Sequence, residues 1–326
     1  MKKTLLIIST AALLLTACST EENDAPVAAN VTASIDGTKT RAVDQTWTKD
    51  DAIGVMATSY TDPSAASTAN EVTKLYKNVK YTVESAGTAG TFTSTDGIFF
   101  QADDQVVTFA AYYPYQASAD KATLPGTDGA VTGANTQSQP TAEAQSAFDY
   151  LYASGVTASK SQPTVAFSGD KMFKHKMARL ILVLKTSTDD GFTADQVNAA
   201  STTFKLGGLK HDGTFHVTDG TAEATGNVVS DWDITSNVNN VYSPENGTRT
   251  YTMILYPQSI SGALPLSATI DGQTFVNTTA IQPALQAGYA YTYTITIKKT
   301  GLVISGSTIE SWNTGTSGSG DAVMPL

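Results

Sequence analysis

The chain has almost none of the residues that cross-link a fold or hold a metal through sulfur. Its 326 residues include one cysteine, Cys18, and three histidines, His175, His211 and His216. A disulfide needs two thiols and a cysteine-ligated zinc or iron–sulfur centre needs more, so the count excludes all three within this chain. Charge is scarce as well: 15% of residues are Asp, Glu, Lys or Arg, against about 25% in an ordinary globular protein. Thirty acidic against twenty basic residues leave a net charge of -10, which repels a phosphate backbone and excludes nucleic acid as a partner. The sequence also lacks a Gly-x-Ser-x-Gly elbow, a His-Glu-x-x-His pair and a Gly-x-x-x-x-Gly-Lys-Ser/Thr loop, so the common hydrolase, metalloprotease and P-loop chemistries have no scaffold. We assign no catalytic residue, no metal and no cofactor, and expect a protein that is not an enzyme.

What is present begins with an address. Lys2-Lys3 precede an apolar stretch from Leu5 to Leu15, too short to span a bilayer stably and of the right length for the apolar region of an export signal. Leu15-Thr16-Ala17-Cys18 resembles the lipobox of bacterial lipoproteins, and the only cysteine stands where acylation needs it. This implies a signal peptide over 1–17, a lipid on Cys18 and, since two or three acyl chains hold firmly where one does not, a membrane-tethered N-terminus.

Beyond the acidic stretch Glu21-Glu22-Asn23-Asp24, Val31, Ala33 and Ile35 alternate with polar residues, the period of a half-buried strand. From Ile53 onward short apolar runs are broken by Asp-Gly, Pro-Gly and Asp-Pro pairs, which favour tight turns. Strands are predicted at 53–56, 79–83, 91–93, 106–113 and 164–167, then at 202–206, 214–217, 251–255, 266–270, 289–298 and 302–309, with one further strand opening at Phe173 and running to Leu184. The stretch 126–147 has no apolar period and reads as a long surface excursion with a helical turn near Glu143. Phe109 to Tyr115 and Tyr251 to Pro257 echo each other, each a strand stopped by Pro after an aromatic residue. The sum is an all-β protein of two tandem antiparallel β-sandwich domains, 42–168 and 169–312, preceded by a tether with a first strand at 18–41 and followed by a flexible tail at 313–326. His175 reads as a satisfied structural residue, while His211 and His216 flank a hairpin. Tyr112, Tyr113 and Tyr115 are the candidates for stacking on a sugar, against the ordinary alternative that strands bury such rings.

These features together resemble the fimbrillin family of Bacteroides-type bacteria, the type V pilins and their fimbrillin-like relatives. The resemblance rests on Cys18 in its lipobox, Thr40-Arg41-Ala42, Trp47, Asp50-Asp51, Ile53-Gly54-Val55, Tyr112-Tyr113-Pro114-Tyr115, the segment from Phe173 to Leu180, Leu255-Tyr256-Pro257-Gln258 and Ile309-Glu310-Ser311-Trp312, in that order along nearly the whole chain. It implies transthyretin-like sandwiches, export as an outer-membrane lipoprotein through Cys18, and trimming by an arginine-directed protease between Arg41 and Ala42, with Lys39 as a secondary cut. Trimming would remove the first strand together with the anchor, and the vacated groove would accept a strand from another subunit. Polymerisation by donor-strand exchange into a surface fimbrium that supports adhesion to a host or microbial surface follows from the same resemblance. The tail supplies the candidate donor, with Val323, Met324 and Leu326 as its apolar anchors. The alternative expectation is a monomeric surface lipoprotein that binds glycans through sandwich loops.

Overall fold

The computed structural model describes residues 25–37, 46–61, 75–100, 105–187, 189, 191–244 and 247–313. Cys18, Arg41, Ala42, Val323, Met324 and Leu326 lie outside these described residues.

In chain order the first part supplies β1 (Val27–Ala28), β2 (Asn30–Ser34), β3 (Ala52–Thr61), β4 (Val79–Val83), β5 (Ala89–Thr93), β6 (Phe99–Phe100), β7 (Val106–Tyr113), β8 (Ala130–Thr132), helix α1 (Ala142–Ser146), β9 (Leu151–Ser159), β10 (Thr164–Phe167) and β11 (Lys174–His175). The second part supplies β12 (Ala178–Thr186), α2 (Ala194–Asn198), β13 (Thr203–Leu206), β14 (Leu209–His216), β15 (Ala222–Val229), β16 (Trp232–Asp233), α3 (Ile234–Asn237), β17 (Asn239–Ser243), β18 (Thr248–Leu255), β19 (Leu266–Ile270), β20 (Gln273–Val276), β21 (Tyr289–Lys298) and β22 (Gly301–Ser311). The protein is all-β, as the turn-punctuated apolar runs require.

Eight strands form one sheet in the order β10-β2-β5-β4-β3-β7-β9-β11. It curls until its ends approach each other, for Ile35, just after β2, bridges Phe173, just before β11. Inside it Val79, Tyr81 and Val83 of β4 are buried in alternation with outward-facing neighbours, the period-two pattern that one solvated face imposes. Gly54 on β3 is opposite Tyr112 on β7, and a Cβ there would overlap the phenol ring; the motif Ile53-Gly54-Val55 therefore records where an aromatic ring lies across the backbone.

In the second part a five-stranded sheet, β17-β18-β12-β21-β22, faces a four-stranded sheet, β16-β13-β19-β20. Leu180, Leu182 and Leu184 of β12, Tyr251 and Met253 of β18, and Phe204, Leu206, Leu266 and Ile270 from the opposite sheet fill the space between them. Pairing is antiparallel throughout the named strands except for β2–β10 and β12–β21, which are parallel, one in each part.

Two expectations change. The segment from Phe173 to Leu184 is two strands, because the chain crosses from one sheet to the other: Lys174–His175 pairs with β9, and β12 starts only at Ala178. The stretch 126–147 is not a surface excursion. Its strand β8 pairs with β14 in a three-stranded sheet, β15-β14-β8, that joins the two parts, and Thr136 and Gln139 are fully buried. Gln139 takes a hydrogen bond from Ile254 N (2.7 Å) and gives others to Ile254 O (3.0 Å) and Thr136 O (2.6 Å), clipping the segment to β18. A polar segment can be buried when its amides satisfy the neighbouring backbone, so low hydrophobicity alone misjudged it. The predicted helical turn there is real: α1 is capped by Thr141, whose hydroxyl accepts from Ala144 N.

Candidate functional site

The candidate site is the lodging of β2. Val31 and Ala33 are 1% and 2% exposed and point inward, while Thr32 and Ser34 lie half-buried on the other face, as the predicted alternation demands. β2 is bonded on both edges, antiparallel to β5 through Val31–Phe92 to Ser34–Ala89, and parallel to β10 through Asn30–Thr164 to Ala33–Phe167. The ladder is extended at both ends: Ala29 N donates to Ile98 O (2.8 Å), Asn30 N to Pro163 O (2.9 Å), Phe173 N to Ser34 O (3.0 Å) and Asp36 N to Phe173 O (2.7 Å). β10 is one of the two outermost strands, and among the described residues its only strand partner is β2.

Beneath β2 lies Trp47, 1% exposed, whose indole N–H donates to Ala33 O at 3.0 Å. Its ring meets Phe92, Tyr113 and Phe173 edge-on, with centroids 5.1, 5.7 and 5.4 Å away. Paired backbone bonds to Gly87 fix Trp47 from the other side. The bed under β2 is held partly by β2 itself, through Ala33 O and the pairing of β10, and partly by Phe92, Tyr113, Phe173 and Gly87, which do not belong to β2.

At the Ile35 end of this bed opens a small cleft of about 60 Å³ between the two parts, lined among others by Trp47, Asp51, Tyr113, Gln145, Asp149 and Arg179. Asp51 accepts from Thr48 N (2.7 Å) and the Tyr113 hydroxyl (3.1 Å); burial raises its pKa, with those two bonds pulling the other way. Asp149 binds His175 Nδ1 at 2.8 Å. His175 is itself buried, stacked on Trp312 at 4.0 Å, and its backbone N–H is held by Asn313 Oδ1 at 2.8 Å. Arg179 lies 4.7 Å from the Trp312 ring centroid. The end of β22 is in this way fixed at the junction through Trp312 and Asn313. Nothing in the sequence spacing brings Asp51, Asp149 and Arg179 together; the cleft exists because β3, α1 and β12 converge.

The three tyrosines do not make a stacking platform. Tyr112 is 0% exposed, gives its hydroxyl proton to Asn78 Oδ1 (2.7 Å) and packs on Phe215, so its face is unavailable to a sugar. Tyr113 is half-buried in the cleft, and Tyr115 is half-buried with Lys80 Nζ 5.6 Å from its ring. His211 and His216 stand five residues apart on β14, one buried against Trp232 and the other half-exposed near Glu223, and do not converge. Among the described residues no three His, Cys, Asp or Glu side chains gather into a metal site, and no helix is long and apolar enough to cross a membrane.

Residues 40–312 match the family described as fimbrillin-like. A "Putative fimbrium subunit Fim1C" from Bacteroides uniformis is 29% identical over 334 aligned residues, covering 98% of each chain. Two solved structures, each described as a "putative cell adhesion protein", share the architecture. The one from Bacteroides ovatus has a TM-score of 0.69 at 25% identity, covering 90% of this chain and 100% of its own. The one from Bacteroides uniformis has a TM-score of 0.62 at 25% identity, covering 89% and 99%. With the match running from the segment that follows β2 to the Trp312 clamp, the chain belongs to the fimbrillin-like family, whose relatives are fimbrial subunits and cell adhesion proteins.

Proposed function

We propose that this protein is a fimbrial subunit that matures by losing β2 and is completed by a strand from a neighbouring subunit. Export runs through Cys18 as a lipoprotein of the outer membrane, and cleavage between Arg41 and Ala42 severs β2 and the anchor together from the remaining chain. The observation that carries this reading is the double-sided lodging of β2 over a bed built partly by other segments, with Arg41 in the connection between β2 and the rest of the sheet.

The physical role of the cut is a change of molecularity. While tethered, β2 faces its groove at an effective concentration that no free strand matches; once severed, it competes by mass action. It is held by Val31, at about 1.5–3 kcal/mol for a fully buried valine, and by ladder bonds on both edges at about 1 kcal/mol net each. A donor carrying apolar residues at the Val31 and Ala33 positions recovers the same terms by β-augmentation. Because donor and acceptor surfaces differ, successive insertions do not close and a filament grows. The tail with Val323, Met324 and Leu326 is the candidate donor, and the domain division at 42–168 and 169–312 belongs to the same proposal.

The decisive experiment is Arg41→Ala in the native host, with the mature N-terminus and filament content measured together. Retention of lipidated Cys18 and loss of filaments is the expected result; filaments of normal abundance, with no substitute cut at Lys39, overturn it.

A further inference from the structure

A second site, remote from the β2 groove, lies on the other part of the molecule. A cavity of about 160 Å³ opens beside α2 and is lined by Asn198, Thr202, Phe204, Thr235, Arg249 and Tyr251, with exposed Ala200 at its mouth. Arg249 and Tyr251 stand two apart on β18 and share a face.

Among the described residues no carboxylate holds the guanidinium. Asn198 Oδ1 accepts from Nε (3.0 Å) and Nη2 (2.7 Å), Asn240 Oδ1 accepts from Nη1 (2.6 Å), and the Tyr242 ring lies 5.7 Å away. Of five N–H groups, three are used, which leaves one on each terminal nitrogen: the number a carboxylate takes when it binds two-pronged. In a chain of net charge -10, a cation whose partners among the described residues are two neutral amides is an unusual choice.

The floor makes the second, independent observation. Tyr251 is fully buried, yet its hydroxyl has no hydrogen-bond partner among the described residues. Such a group costs stability unless something satisfies it. Burial raises its pKa while the Arg249 charge and the nearby Thr235 and Arg249 side chains, which approach the hydroxyl without bonding geometry, lower it, so phenol and guanidinium feel one another across the cavity. Asp233, the acid also felt here, is engaged as the cap of α3, accepting from Thr235 N at 2.9 Å. The other polar groups of the lining are occupied: Thr202 Oγ1 donates to Gln196 O (2.7 Å), and Thr235 Oγ1 accepts from Phe204 N (2.6 Å).

We propose that this cavity binds a small monocarboxylate, with the Arg249 guanidinium taking both oxygens and the Tyr251 hydroxyl donating to one of them. A single positive group in an acidic protein suits a monoanion better than a phosphate dianion. The apolar wall of Val197 and Phe204 receives the remainder of the molecule. Two sources share this chemistry, an acidic sugar and a short aliphatic acid.

The test is calorimetric titration of the purified protein with D-glucuronate, with butyrate and, as a neutral control, with D-glucose. At least one acid should bind saturably at millimolar concentration and glucose should not. Glucuronate alone identifies the acidic sugar, and butyrate binding as well or better identifies the aliphatic acid. Arg249→Gln should weaken binding by about tenfold or more. Because that variant also frees Asn198 and Asn240, Tyr251→Phe is the second arm: loss of an unpartnered hydroxyl should leave the melting temperature unchanged or raised while affinity falls about threefold or more. Failure of both acids to saturate, or undiminished affinity in Tyr251→Phe, overturns the proposal, whatever the fate of β2.

Discussion

At the scale of single residues, the buried polar side chains decide how the protein answers to pH. His211 is 2% exposed, bonded through Nδ1 to Thr136 Oγ1 at 2.9 Å and set edge-on to Trp232 at 4.4 Å, and its Nε2 has no partner among the described residues. Burial pulls its pKa down to about 4, with the charge of Asp212 acting in the opposite direction. Between about pH 6.5 and pH 4 the unfolded chain binds a proton at this histidine that the folded chain refuses, so stability falls as pH falls. The whole interval is worth about 3 kcal/mol. Melting temperatures measured from pH 7 to pH 4 should therefore drop less steeply in His211→Gln than in the parent; parallel curves would sink the assignment. Gln139 bears on stability directly. Gln139→Ala removes its bonds to Ile254 and Thr136 and leaves a buried amide unpaired, at a cost of about 2–4 kcal/mol by denaturant titration. Neither residue was legible as important in the sequence, since each lies in a polar stretch whose burial depends on partners more than fifty positions away.

At the scale of elements, β2 was legible and several of its companions were not. Its alternating Val31 and Ala33 stand on a regular ladder, and β4, β7, β12 and β21 were visible as apolar runs bounded by turn residues. β9 was missed because Gly155, at φ +76°, and a register shift opposite Phe109 and Ala110 break the alternation that marks a strand. β15 was missed because it is a largely exposed edge strand with little apolar content and its own shift against β14. The β2 groove offers a direct assay, since the indole N–H of Trp47 is bonded to Ala33 O. Trypsin-like trimming after Arg41 followed by separation of the released piece should shift Trp47 emission, and a peptide of residues 27–37 should reverse the shift. The same peptide carrying Val31→Asp should bind more weakly by at least about 3 kcal/mol, near a hundredfold, since it sets a carboxylate in an apolar slot. Equal binding of the two peptides would mean that the slot does not read side chains.

At the scale of the whole molecule, the core comes in three pieces rather than two. One fills the curled sheet, one fills the sandwich, and a third, built on Tyr112, Tyr150, Phe215, Tyr256 and Trp312, joins them. Phe215 stacks on Tyr150 at 4.7 Å, a ring from the second part against one from the first. With β8 paired to β14 across the same boundary, the two parts should unfold in one calorimetric transition. Phe215→Ala should cost about 3–5 kcal/mol and split that transition in two. Two transitions in the parent protein would show that the joining core adds no coupling. For a filament subunit such coupling matters, because a pull applied at the Trp312 clamp reaches the β2 groove through packed side chains rather than through a slack linker.

Local pattern was enough to establish an all-β chain, the first strand and its inward residues, and the resemblance to fimbrillins, because alternation and turn chemistry are written in neighbouring residues. Which strands became partners, the burial of the polar segment around Gln139, the placing of Asp51 and Asp149 on one cleft and the meeting of Arg249 with Asn198 came from long-range packing. Sheet edges select their partners by shape and by unsatisfied hydrogen bonds, and those are properties of surfaces that exist only once the chain has folded.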